Sequence, residues 1–330
     1  MQRLQHHWYR FTPLHLLLFP VSLIFRALVA IRRMLYHTGM LASIKLPVPV
    51  IVVGNISVGG TGKTPLTLWL VQQLIADGWH PGIISRGYRK SKNSSNVLRA
   101  VNAYDSPDEV GDEPLLMAQR ELCPVWIGRD RPAVAQALLN AHPECDVILS
   151  DDGLQHYRLQ RDVEIIVVDG ARRFGNGLLL PAGPLREPVS RIKEADAVVV
   201  NGGEVQANEF GMQLEGTHFY NLLNPEITVS AHEFSGKRLH AIAGIGHPQR
   251  FFNHLQQLGL ECSGHSFPDH HDYNANEIAF DDADATLMTE KDAVKCAAFA
   301  TEKHWVLRVD AQVSPTLAQL IIKKVSPDGR

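Results

Sequence analysis

Residues 52–65 read VVGNISVGGTGKTP, and no other stretch limits the fold as sharply. An apolar strand sequence runs into a glycine-rich loop, and that loop opens the helical stretch KTPLTLWLVQQLIADG. Backbone N–H groups converging at such a turn, with the positive end of a helix dipole behind them, make a seat for phosphate oxygens. The strict phosphate-loop spacing, Gly-x-x-x-x-Gly-Lys-[Ser/Thr], asks for glycine at position 57, where this chain has Ser57. Ser57 and Val58 fall where the strand ends, and Gly59, Gly60 and Gly62, on either side of Thr61, are expected to supply the unusual backbone angles instead. Lys63 is then placed to reach the β and γ phosphates of ATP, and Thr64 to offer its hydroxyl to Mg2+.

A loop of this kind belongs at the carboxyl edge of a parallel sheet, and the following sequence has the matching rhythm. Apolar runs at PGIISRGY, PVWIG, CDVILSDDG, VEIIVVDG and ADAVVVNG alternate with helical stretches at Lys63–Asp77, Gly111–Glu121 and Asp130–Ala141. Continuous rather than alternating apolar strands imply a mainly parallel sheet covered by helices on both faces, a phosphate-loop NTPase-like α/β fold. After NGGEV the chain turns polar through Glu226. A second alternation follows, with a strand at RLHAIAGIG, a helix at HPQRFFNHLQQLG, a strand at ATLMTEKD that leads into a turn, a strand at HWVLRVDAQV and a helix near Ser314–Lys324. The expected organisation is an N-terminal anchor helix (1–45), a nucleotide-binding domain (46–224) and a smaller α/β domain (225–330) that closes over the site. Asp151 and Asp152 end a strand in VILSDDGLQH, as a Mg2+ site requires, and burying both charges unpaired would cost several kcal/mol, so both are expected to face outward.

A formal charge of −3 argues against a nucleic-acid partner. The charge is uneven, however: Arg3, Arg10, Arg26, Arg32, Arg33 and Lys45 all precede the first acidic residue, Asp77. The apolar stretch FTPLHLLLFPVSLIFRALVAIRRMLYH is interrupted by His15 and Arg26 and divided by Pro20. A helix lying in a membrane interface, arginines toward headgroups, fits it better than a clean crossing, which needs about 20 apolar residues. No small-residue cleavage site follows, so a signal peptide is disfavoured. The four cysteines form no Cys-x-x-Cys pair, which favours small buried side chains in a reducing cytosol. Nothing in the chain calls for an obligate protein partner.

SVGGTGKTP, SRGY, GDEPLL, SDDGLQH, LLPAGPLREP and FPDHHDY occur in that order, and together they resemble the tetraacyldisaccharide 4'-kinases, which phosphorylate a lipid A precursor at the bacterial inner membrane. The resemblance implies an ATP-dependent enzyme on the cytoplasmic face, with a sugar hydroxyl of a tetraacylated glucosamine disaccharide 1-phosphate as acceptor. It also implies that Asp112 of GDEP is the catalytic base and that His270 of FPDHHDY accepts or orients the proton, forming a pair with it between the two domains. His271 is the neighbouring alternative, and a helix cap is the alternative role for Asp112. Arg186 of GPLREP resembles a phosphate-facing arginine, with Glu187 holding it or touching metal, and Glu113 is a further candidate for Mg2+. Arg129 or Arg131 of IGRDR points inward, and Tyr88, Gln155 and His156 line the same cleft. Arg89 and Leu154 depart from the commonest pattern, which has glycine and phenylalanine there. A membrane-associated ATPase switch with no small acceptor shares the loop, the strand-end aspartates and the anchor; the Asp112/His270 pair is what separates the two readings.

Overall fold

The computed structural model describes residues 8–9, 13–87 and 98–326; Tyr88 and Arg89 lie outside them. Its larger sheet has nine strands in the order β15 (Asp310–Val313), β8 (Phe210–Glu215), β7 (Ala197–Asn201), β6 (Val163–Asp169), β1 (Val50–Gly54), β5 (Val147–Asp151), β2 (Pro81–Ser85), β4 (Val125–Ile127) and β3 (Arg99–Val101). The inner strands pair in parallel, and β15 and β3 close the edges antiparallel. Strand β1 shows why the run VIVVG carries no alternation: all five residues are buried. Ile51 and Val53 pack with Leu66, Leu70 and Leu74 of α2 (Lys63–Ala76), while Val50 and Val52 pack on the opposite face with Val134 and Leu138 of α5 (Arg131–Ala141). The short α3 (Pro107–Val110) leads into α4 (Asp112–Gln119), which covers the α2 side through Leu115 and Met117.

The second sheet has six strands in the order β10 (Thr228–Ser230), β9 (His218–Asn221), β14 (His304–Leu307), β13 (Ala285–Thr289), β11 (Leu239–Ala243) and β12 (Cys262–Ser266). Helices α6 (Pro248–Gln257), α7 (Ala275–Ile278) and α8 (Glu290–Cys296) accompany it. Two of the differences from the sequence expectation shape how the sheets join. The polar stretch after NGGEV forms β8 and β9, whose half-exposed pattern hides them. The run HWVLRVDAQV is two strands in two sheets, because the chain crosses back at Arg308–Val309, so that β15 pairs with β8 and α9 (Pro315–Val325) buries Leu317, Ile321 and Val325 against the α2 side.

Arg120 ties this crossing down. Its guanidinium meets Glu290 at 2.9 Å, Asp310 at 2.9 Å and the Val309 carbonyl at 3.0 Å. Arg120→Met would leave Glu290 buried without its counter-charge. The expected loss is about 3–5 kcal/mol, the range for removing one partner of a buried ion pair, read from the urea midpoint at unchanged slope. A loss below about 1 kcal/mol would show that Glu290 is neutralised in another way.

Helix α1 (Leu14–His37) is continuous through Pro20, which removes one backbone hydrogen bond on the exposed side of the helix. Its 24 residues rise about 36 Å. By length and composition it could cross a bilayer, and only 11% of its most apolar window is buried. Of the two polar interruptions, His15 is buried on the side facing the protein whereas Arg26 is exposed; Ser22 is buried on the protein side too, and its Oγ donates to the Leu179 carbonyl at 2.7 Å. Leu16, Leu17, Ile24 and Leu28 face outward.

Candidate active site at the mouth of the phosphate loop

The loop after β1 is held from three directions. Ser57 bridges Leu185 in an antiparallel pair, Val58 N donates to the Pro184 carbonyl at 2.8 Å, and Arg186 N donates to the Ile56 carbonyl at 2.7 Å. Ser57 is thus paired, extended backbone, which any residue adopts. Among the described loop residues the left-handed region is used by Gly59 (φ 108°) and Gly62 (φ 93°), but not by Gly60. Asn201 Nδ2, at the end of β7, donates to the Thr61 carbonyl at 3.0 Å, and Arg172 donates to the Gly60 carbonyl at 2.8 Å. Gly62 caps α2, so Lys63 and Thr64 begin the helix whose N-terminus faces the loop.

The two aspartates at the end of β5 separate. Asp152 turns into left-handed backbone (φ 48°) and meets Lys63 and Arg186, each at 3.5 Å. Burial would raise its pKa, but Lys63 and then Arg186 outweigh that and hold it at about 2. Asp151 stays in the strand, fully buried, and accepts from Thr67 Oγ1 at 3.4 Å. Burial, reinforced by the nearby Glu113 charge, pushes its carboxyl up to about 7. The expectation that both face outward is therefore corrected: strand alternation sends one side chain inward, and a raised pKa lowers the penalty of burying it. Asp151 Oδ2 is buried with no hydrogen-bond partner among the described residues. Thr64, Asp152 and this orphan oxygen make an oxygen-only set that suits Mg2+, a hard cation that keeps water and phosphate ligands. No cluster of three or more His, Cys, Asp or Glu fit for a metal occurs among the described residues.

Beyond Asp152, Arg131 is the inward arginine of its pair: it is buried and donates to the carbonyls of Gly128 and Asp151, whereas Arg129 is exposed. Glu187 accepts from Gln155 at 2.8 Å and Tyr157 at 2.6 Å, with Arg191 at 3.4 Å. It holds those side chains and not Arg186. His156 is kept neutral, its pKa pushed down to about 4 by burial and then by Arg131 and Arg86. Leu154 is core, packed so closely on Gly54 that a side chain there would collide with it.

Across the mouth, Asp112 is the first residue of α4. Gly111 occupies the cap position, and no side chain caps the helix. The Asp112 carboxylate is instead 3.1 Å from His270 Nδ1, on the loop after β12. Burial alone would raise its pKa, yet the His270 hydrogen bond with Lys295 and Lys291 brings it below the ordinary value. His271 is engaged elsewhere, 3.1 Å from Glu277 and stacked on Phe267. Glu113 faces Lys291 at 3.2 Å.

Sequence reasoning missed α8, the element beneath this pair. Thr289-Glu-Lys-Asp292, read as a turn, is a capped helix start: Thr289 Oγ1 accepts from Asp292 N at 3.2 Å. A Thr-x-x-Asp pattern carries that signal. Lys291 donates to Asp269 at 3.0 Å. Buried Asp292 takes Gly244 N and the Tyr273 hydroxyl, and Lys295 lies 3.9 Å from Asp112. On the far side of the loop, Asp169 at the end of β6 pairs with both Arg172 (2.8 Å) and Arg250 of α6 (3.3 Å).

The geometry has counterparts in known proteins. The family model described as LpxK, tetraacyldisaccharide-1-P 4'-kinase, matches residues 14–326. The tetraacyldisaccharide 4'-kinase of Methylobacillus flagellatus is 51% identical over 325 residues, 98% of this chain and 96% of that one. The protein of the same description from Azoarcus sp. is 51% identical over 325 residues, 97% and 94% of the two chains. Among solved structures, the "apo" form of LpxK from Aquifex aeolicus in complex with ATP superposes with a TM-score of 0.80 at 32% identity, covering 95% of this chain and all of that one.

Proposed function

The chain belongs to the tetraacyldisaccharide-1-P 4'-kinase family, and from that premise we propose that it transfers the γ-phosphoryl group of ATP to the 4'-hydroxyl of a tetraacylated glucosamine disaccharide 1-phosphate. The observation that carries the reading is the Asp112–His270 contact, made by a helix packed on the larger sheet and a loop of the smaller one, whose Asp269 lies by Gly246 next to Gly60 of the phosphate loop.

Phosphoryl transfer asks a protein chiefly for positioning and charge neutralisation, with a base for the acceptor proton. The backbone of residues 57–62 cradles the phosphates, Lys63 reaches the β and γ oxygens, and Arg186 offsets charge as it spreads over the transferred group. Thr64 and Asp152, with Asp151 and Glu113 nearby, would hold Mg2+, which neutralises phosphate charge when bound. Asp112 accepts the proton of the sugar hydroxyl, and His270 orients and stabilises that carboxylate. The nucleotide-binding domain, 46–224, is built on the larger sheet as far as β8, and its last strand, β9, already lies in the smaller sheet. The smaller domain, 225–330, closes over it, with β15 and α9 as its tie to the larger sheet. Residues 1–45 bring the enzyme to the cytoplasmic face of the inner membrane, where α1 lies with its apolar side in lipid.

The deciding experiment incubates purified protein with γ-labelled ATP, Mg2+ and the disaccharide lipid, and follows the label. Label in the lipid, with ATP turnover dependent on acceptor, is expected. Hydrolysis to free phosphate that ignores the lipid would support an ATPase switch instead. For the membrane contact, replacing Leu17, Ile24 and Leu28 together by glutamate is expected to abolish co-sedimentation with anionic vesicles while the protein still folds, because these side chains are exposed. Retained vesicle binding would remove α1 from that role.

A further inference from the structure

We propose that Lys291 is a positioning residue of the transfer: by bridging Glu113 on α4 and Asp269 on the loop after β12, it seats His270 against Asp112. The inference rests on the function proposed above and assigns part of its machinery to a helix that none of the phosphate-loop chemistry calls for.

Lys291 lies in the first turn of α8, with its side chain 17% exposed. Its Nζ is 3.0 Å from Asp269 Oδ1, 3.2 Å from Glu113 Oε1 and 3.5 Å from His270 Nε2. An ammonium has three N–H donors and no acceptor. Three acceptors therefore converge on one cation, one from α4 beside the larger sheet and two from the loop of the smaller. The polarity of that arrangement has a consequence for the histidine. Nε2 lies nearer the Lys291 ammonium (3.5 Å), which can only donate, than Asp269 Oδ2 (3.9 Å), so Nε2 is the acceptor and the ring hydrogen sits on Nδ1, from which it is donated to Asp112 Oδ2. Asp112 then remains a carboxylate with Oδ1 left to take the hydrogen of the acceptor alcohol.

His270 needs such support. Its backbone is in left-handed conformation (φ 59°), which a residue with a side chain adopts only where surrounding contacts enforce it. Helix α8 is a firm base for those contacts. Buried Asp292 accepts from Gly244 N at 3.1 Å, from the Tyr273 hydroxyl at 3.0 Å and from Thr289 Oγ1 at 2.6 Å. Tyr273 belongs to the same loop, so the helix grips it three residues beyond His270 as well as through Asp269.

A bare fold bridge, or a lysine that grips ATP itself, would give different kinetics. Lys291→Met is expected to lower kcat about tenfold to a hundredfold, as misplacement of a catalytic group by about 1 Å does, with KM for ATP and for lipid within about twofold of wild type. Lys291→Arg is expected to recover most of the loss. Asp269→Asn cuts the same bridge from the other end and is expected to show the same loss confined to kcat, which keeps the test available should Lys291→Met not fold. In a His270→Ala background, Lys291→Met should add less than about a twofold further loss, since residues acting as one unit are not additive. Ring 15N shifts, with His270 assigned from the spectrum of His270→Gln, should report the Nδ1-H tautomer in wild type and its loss in Lys291→Met. Unchanged kcat in Lys291→Met or Asp269→Asn, a loss that multiplies with that of His270→Ala, or a defect confined to KM for ATP would overturn the assignment. Failure of the wild-type enzyme to label lipid would instead count against the function itself.

Discussion

Asp112→Asn is expected to reduce kcat by about a hundredfold or more, within the usual contribution of general-base catalysis, while ATP affinity changes little. The substitution keeps the size and planarity of the side chain and removes only its capacity to take a proton. The surroundings have been arranged around a charge: burial opposes it, but the His270 hydrogen bond and the Lys295 and Lys291 ammonium groups more than compensate. An amide there removes one of the anions those cations face, although Lys291 keeps Glu113 and Asp269 and Lys295 keeps Asp292, and it leaves the sugar alcohol with no acceptor for its hydrogen. The phosphate loop contributes nothing to this defect, because Lys63 is paired with Asp152 and not with Asp112. Single-turnover transfer with saturating ATP, alongside nucleotide titration, separates the two effects. Turnover near the wild-type rate would take Asp112 out of the role.

A loss on binding instead of chemistry is expected for Gly62→Val. Gly62 has φ 93°, a conformation that costs a β-branched residue on the order of 1–3 kcal/mol. An added Cβ would also overlap Asn201 Nδ2 and approach Met212 Cε to 2.9 Å. Asn201 could then no longer donate to the Thr61 carbonyl, the bond that fixes the loop from β7. The N-terminus of α2 would lose its aim at the phosphates, so ATP affinity should fall at least about tenfold, or about 1.4 kcal/mol. Calorimetric titration with a non-hydrolysable ATP analogue measures it. Affinity within a factor of two of wild type would mean that the loop does not need this geometry.

The parts legible in the sequence were those whose signal is local. The strand, loop and helix around residues 50–76 announced themselves because a buried parallel strand needs continuous apolar residues and a phosphate seat needs glycine next to a helix start. What stayed hidden was weakly or ambiguously marked. Strands β8 and β9 are half exposed, so polar residues interrupt them. The split of HWVLRVDAQV between two sheets leaves no trace in a run that reads as one strand. Helix α8 did carry a capping pattern in Thr289-Glu-Lys-Asp292, and it passed for a turn because the helix is only seven residues long. The interruption of α1 at His15 looked like a flaw in an apolar segment until it proved, with Ser22, to lie on the face turned toward the protein, whereas Arg26 stays exposed.

By itself, then, the chain of residues determined the loop that cradles phosphate, the family it belongs to and the motifs that hold its reactive groups, since each is written in a few adjacent positions. Only the tertiary structure decided which of Asp151 and Asp152 meets Lys63, that Glu187 serves Gln155 and Tyr157, and that His270 and not His271 comes to Asp112 across 158 positions of sequence. Those outcomes depend on which faces pack together and on the charges that burial brings within a few ångströms of one another, and no local pattern encodes either.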